Sequence, residues 1–147
     1  FNARNLELLV QNIQKGRERN IERFRHAEEL NVNKIVNNPK DERLMNDLVD
    51  LILENLGNEN FSVTDITEAL RISRSRLHIK VKALTGIPIT QFIRTIRIRE
   101  AKKLLLDGMN VAETSYAVGY SDPNYFTKTF RAETGMTPTE FVKSRRP

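Results

Sequence analysis

The chain has 147 residues, 39% of them apolar, and a net charge of +5. That apolar content can build one ordinary domain or two small ones, and the absence of cysteine removes disulfides, thiolate metal sites and cysteine nucleophiles, so a reducing cytoplasm fits best. No signal-like opening and no apolar run of spanning length appears, so a soluble piece is expected, and the start at Phe1 without a methionine reads as part of something longer whose parent an upstream anchor would tie to the inner membrane.

Leu6, Leu9, Val10 and Ile13 recur at helical spacing, followed by Arg/Glu-rich sequence with Ile21 and Phe24, which predicts an amphipathic helix. Gly16 and Arg17 interrupt its stripe, so a coiled coil and a linker packed on a partner are equally good readings. Residues 31–40, ending in "NNPK", read as a loop. Residues 1–40 are then a linker and signal-relay segment, and residues 41–147 the compact domain.

Asp41 is expected to cap a helix with Leu44, Leu48, Leu51, Ile52 and Leu56 on one face, and Gly57 to stop it in a left-handed turn. In "NFSVTDITEAL", Ser62 and Asp65 have capping-box spacing ahead of inward-facing Val63, Ile66 and Leu70. Ser73 then caps a second short helix, which completes a helix-turn-helix outline.

That outline occurs twice. Val63, Ala69 and Ile72 correspond to Val111, Ala117 and Tyr120, and Ser62/Asp65 to Asn110/Glu113, at a spacing of 48. Beyond the turn the spacing is 49: Ser73 matches Asp122, Leu77 matches Phe126, Val81 matches Phe130, and Thr85-Gly86 matches Thr134-Gly135. One additional residue, Ser121, accounts for the change. Between the copies, 89–107 reads as one helix ended by Gly108. The predicted fold is all-α: two helix-turn-helix subdomains (41–88 and 109–147) bridged by a long linker helix (89–108), with the amphipathic helix in front.

Charge follows the same plan. From residue 40 to 70 two bases stand against eight acids, and from 73 to 103 nine bases stand against Glu100 alone. A one-sided positive field of this kind is the footprint of a polyanion binder.

These residues resemble the DNA-binding domain of the AraC/XylS family of bacterial transcription regulators. The likeness covers 41–147 and rests on "SVTDITEALRISRSRLHIKVKALTG", "PITQFIRTIRIREAKKLLLDG" and "NVAETSYAVGYSDPNYFTKTFRAETGMTPTEF", with Ala117, Gly119-Tyr120, Asp122, Tyr125-Phe126, Phe130, Gly135 and Pro138 filling the family's signature positions. The resemblance implies seven helices, sequence-specific binding of double-stranded DNA, and contact with RNA polymerase as an activator. The first 25 residues look like the segment after a receiver domain in hybrid two-component regulators, many of which control carbohydrate-utilisation genes. An upstream receiver domain and a homodimer contact through the N-terminal helix are the corresponding partners. A free-standing AraC-type regulator with another sensory domain, or a helical protein-interaction module, is the alternative.

In the first recognition helix Leu77, Val81 and Leu84 turn inward, so Ser75, His78 and Ile79 are the candidate base contacts, and Arg74, Arg76, Lys80 and Lys82 the phosphate contacts. Ile79 stands where the family often has a polar side chain. In the second, Phe126 and Phe130 are the anchors, Asn124 and Lys128 the base readers, and Thr127 and Arg131 the phosphate contacts. Helix N-termini at Ser62, Asn110 and Pro138 would offer N–H groups to phosphates. Arg94, Arg97, Arg99, Lys102 and Lys103 read as a solvated face, with phosphate contact as the alternative. Tyr116, Tyr120 and Tyr125 read as packing residues. His26 and His78 sit apart, without a metal-ligand pattern or a glycine-rich phosphate loop, so neither an enzyme nor a cofactor is expected.

Overall fold

The computed structural model describes residues 38–145, among which all regular structure is helical. The described residues form seven helices, α1 (Pro39–Glu54), α2 (Val63–Leu70), α3 (Arg74–Thr85), α4 (Ile89–Leu106), α5 (Val111–Ala117), α6 (Pro123–Thr134) and α7 (Pro138–Arg145). The expected amphipathic helix at the N-terminus lies outside the described residues. No helix among the described residues is long and apolar enough to cross a membrane.

The helices form two compact units. One holds residues 38–54 and Ser62–Phe92; the other holds Asn55–Phe61 and residues 93–145. Helix α4 gives its first turn to one and the rest to the other.

In the first unit α1 packs on α2 and α2 on α3. Met45, Leu48, Val49 and Ile52 of α1, Val63 and Ile66 of α2, and Leu77, Val81 and Leu84 of α3 are buried. Met45 and Val49 thus occupy the centre of the stripe, and Leu44 and Leu51, expected there, are only partly covered. The start of α1 differs too. Pro39, in the segment read as a loop, opens the helix with its fixed φ, and Asn38 accepts the Lys40 N–H on its side chain at 2.9 Å and the Glu42 N–H on its carbonyl at 2.9 Å. Asp41 is therefore a first-turn residue, not the cap. Gly57 is not left-handed either; α1 ends at Glu54, and Asn58 N–H closes a turn onto the Asn55 carbonyl.

In the second unit α5 packs on α6 and α6 on α7. Ile98, Ala101, Leu105, Val118, Tyr120, Phe126, Phe130 and Phe141 make its core. Ring centroids step from Tyr120 to Phe126 at 5.4 Å, to Phe130 at 5.8 Å and to Phe141 at 5.6 Å, all tilted or edge-on, the arrangement that aromatic quadrupoles prefer.

The internal repeat extends to individual hydrogen bonds. Thr85 Oγ1 donates to the Val81 carbonyl at 2.7 Å and accepts the Ile87 N–H at 3.2 Å; forty-nine residues on, Thr134 Oγ1 donates to Phe130 at 2.8 Å and accepts from Met136 at 3.2 Å. Gly86 and Gly135 end α3 and α6 with φ of 82° and 81°, a left-handed closure that a side chain would strain. In register 48, Ile72 N–H reaches the Thr67 carbonyl and Tyr120 N–H the Ser115 carbonyl.

Candidate nucleic-acid interface

Each unit presents one 12-residue helix started by a side-chain cap. Ser73 Oγ accepts the Arg76 N–H at 3.2 Å at the head of α3; Asp122 Oδ1 accepts the Asn124 N–H at 2.9 Å at the head of α6, where Pro123 fixes the first φ. The buried Leu77/Val81 and Phe126/Phe130 pairs then set which side faces out. Burying each such side chain stabilises its unit by about 1.5–3 kcal/mol, far more than any surface contact, so the rotation of both helices is decided by packing.

The consequence is a common outward face. On α3 Ser75, Ile79 and Lys82 are exposed and His78 is half-buried beside them; on α6 Asn124, Lys128 and Arg131 are exposed and Thr127 is half-buried. The two sets are register partners at a spacing of 49, down to the one partly covered member in each. Ile79 is 68% exposed, a large apolar side chain at the centre of that face. Of the flanking bases, Arg74 and Arg76 are exposed, with Arg74 Nη1 3.4 Å from Thr64 Oγ1. Lys80 is half-buried, its Nζ 3.0 Å from Asp41 Oδ1.

Helix ends differ in what they offer. At α2 the Asp65 carboxylate takes the Ser62 N–H at 2.8 Å and its hydroxyl at 3.2 Å, so this end already carries its own negative charge. Asn110 Oδ1 takes the Glu113 N–H at 2.8 Å at the head of α5, and Thr137 Oγ1 the Glu140 N–H at 3.2 Å at α7.

The α4 bases correct the sequence reading. Arg94 and Lys103 are exposed, Lys103 pairing with Glu100 at 3.2 Å, but Arg97 and Arg99 point inward. Arg99 is 8% exposed and 3.3 Å from Glu100. Arg97 donates to the Gly119 carbonyl at 3.2 Å and the Asn58 carbonyl at 3.4 Å, its guanidinium 5.9 Å from the Tyr120 ring centre. Burial lowers the Arg97 pKa, Tyr120 opposing, and burial pushes the Tyr120 phenol up to about 12 against the pull of Arg97 and Arg94. These groups fasten the α5–α6 turn that aims α6.

Two tyrosines are also corrected. Tyr120 is buried, but Tyr125 is 61% and Tyr116 54% exposed. Tyr125 occupies the register of Arg76, on the flank of α6, with its ring 6.0 Å from Tyr120. The repeat spacing was the available signal: Arg76 is a surface residue, so its partner is too.

Paired short helices with a capped, outward-facing second member define a helix-turn-helix protein. A helix-turn-helix domain family matches residues 66–144. Over 142 residues the chain is 32% identical to histidine kinase P4 of Formosa agariphila, covering 96% of this chain and 10% of that protein. An AraC-type regulator from Chromobacterium violaceum superposes with a TM-score of 0.66 at 25% identity, over 74% of this chain and 96% of that one. The C-terminal domain of the two-component response regulator yesN from Fusobacterium nucleatum gives 0.60 at 29% identity, over 65% and 93%. The chain belongs to the AraC-type helix-turn-helix family of DNA-binding transcription regulator domains, which are not enzymes. It spans about a tenth of the length of the kinase that it resembles.

Proposed function

We propose that the chain is the cytoplasmic output domain of a hybrid two-component regulator, binding a specific duplex with α3 and α6 in successive major grooves. The observation that carries this reading is the outward face repeated at a spacing of 49. Two helices with the same caps, the same glycine ends and the same exposed register are built to do one task twice.

In this reading Ser75, His78 and Asn124 hydrogen-bond base edges, Lys128 donates to guanine acceptors and Ile79 covers a thymine methyl. Arg74, Arg76, Lys82, Thr127 and Arg131 hold phosphates, with Lys80 sharing its charge with Asp41. The reading residues differ between the helices, so the site is asymmetric within one protomer. The shared 142-residue stretch, which takes in most of the segment before α1, supports a histidine-kinase-type parent with a receiver domain upstream. Anchoring of that parent in the inner membrane, homodimerisation through residues 1–40, contact with RNA polymerase and control of carbohydrate-utilisation genes complete the proposal.

A selected-site binding assay tests it. Ser75→Ala, His78→Ala, Asn124→Ala and Lys128→Ala should each relax one position at a cost of about 1–3 kcal/mol. If all four select the wild-type sequence with wild-type affinity, these are not the reading faces.

A further inference from the structure

Arg71 and Gly119 occupy the same point of the repeat, each in the left-handed region, at φ of 52° and 92°. An arginine is strained there and a glycine is not. The second unit shows that the turn closes with glycine, so what Arg71 adds over glycine is its side chain. Strain of this sort, held at one residue, is where a function is sought.

That residue lines a cleft of about 610 Å³ in the first unit, between the start of α1, the α2–α3 turn and one flank of α3. Lys40, Arg71, Arg76 and Lys80 line it with a single acid, Asp41, which is already paired with Lys80 at 3.0 Å. Four bases and one acid leave a net of three positive charges. The positive end of α3 opens on the same cleft at Ser73, with no acidic residue in its first turn to offset it. The arrangement calls for an anion.

Position decides which one. Arg76 belongs both to the cleft and to the edge of the exposed face, one residue from Ser75 and three from Ile79. Were a groove to receive Ser75 and Ile79, Arg76 would be the cleft residue nearest to its sugar-phosphate strand. We infer that the cleft is a clamp for DNA backbone phosphate, in which Arg71 and Lys40 hold the strand beside the first half-site. This rests on the proposed reading of α3 and adds two residues from outside the recognition helix.

Arg71→Gly is the decisive variant, because it removes the guanidinium while relieving the backbone. The full chain carrying it should melt at or above the wild-type temperature yet bind the selected duplex more weakly. Its plot of log affinity against log salt should be shallower by about 0.9, so that the wild-type advantage shrinks about three- to fourfold between about 50 and 200 mM salt. Lys40→Gln, at an exposed position on another helix, should give the same shallower slope. A scan of single neutral methylphosphonates should find a linkage flanking the first half-site that weakens the wild type and leaves Arg71→Gly unchanged. Wild-type affinity and slope in both variants, with the Ser75→Ala loss still present, overturns the clamp and leaves the reading of α3 standing.

Discussion

A methyl group at residue 119 would lie 2.6 Å from the Leu56 carbonyl oxygen and 3.0 Å from the Arg97 guanidinium, on backbone at φ 92°. At Gly135 the backbone is equally left-handed, at φ 81°, but nothing stands within 4 Å. Gly135→Ala should therefore cost only the conformational strain, about 1–2 kcal/mol, and Gly119→Ala clearly more, because the neighbour is backbone and cannot yield; denaturant unfolding compares them. Tyr120 gives a pH signature. Its phenol is held up at about 12 by burial, above the ordinary value near 10, so the neutral form is favoured in the folded state. Its contribution, about 2–3 kcal/mol, is complete below about pH 10 and is lost as pH rises towards 12. Tyr120→Phe should flatten that alkaline loss, and an unchanged alkaline profile would contradict it. Tyr125 shows where residue-level reading of the sequence fails. Beside Phe126 it looks like core, yet adjacent helical residues point about 100° apart, and only one of them can face inward. Phe126→Ala should cost about 3–5 kcal/mol and Tyr125→Ala well under half of that.

Among the elements, caps and stops were the most legible signals and charges the least. Ser73, Asp122, Gly86 and Gly135 act as their chemistry demands, since an orphan N–H or a left-handed closure accepts few residue types. Ser73→Ala and Asp122→Ala should each cost about 1 kcal/mol in thermal unfolding, with the loss confined to the unit concerned. Gly57 misleads because a glycine after a helix need not be its terminus; the helix ends at Glu54, and Gly57 sits inside the turn from Asn55 to Asn58. Residue type alone assigns Arg97 and Arg99 to solvent. Their spacing said otherwise, since Ile93, Arg97 and Ala101 recur every fourth residue and Phe92, Ile96 and Arg99 follow the core stripe. A guanidinium tolerates such a place when carbonyls meet it, as Gly119 and Asn58 do for Arg97. Those carbonyls come from loops distant in sequence, so the pairing was not readable in advance.

For the molecule as a whole, the duplicated pattern made the fold legible, because a matched order of caps, core positions and glycine ends leaves little freedom beyond two helix-turn-helix units. What it left out is non-local: that the 55–61 segment packs with the later unit, and that an ion pair takes up Lys80. The outward faces of α3 and α6 are legible for the same reason that the fold is, since the residues opposite a buried pair are fixed by geometry. In the proposed function α3 and α6 engage one duplex together, one groove apart, about 34 Å along its axis. The most direct measurement is affinity for a selected site in which the two half-sites are moved apart by inserted base pairs. An insertion of about five, half a helical turn, puts the second half-site on the opposite face of the DNA, and binding should fall to that of a single half-site. Undiminished affinity across the insertion series would contradict the account.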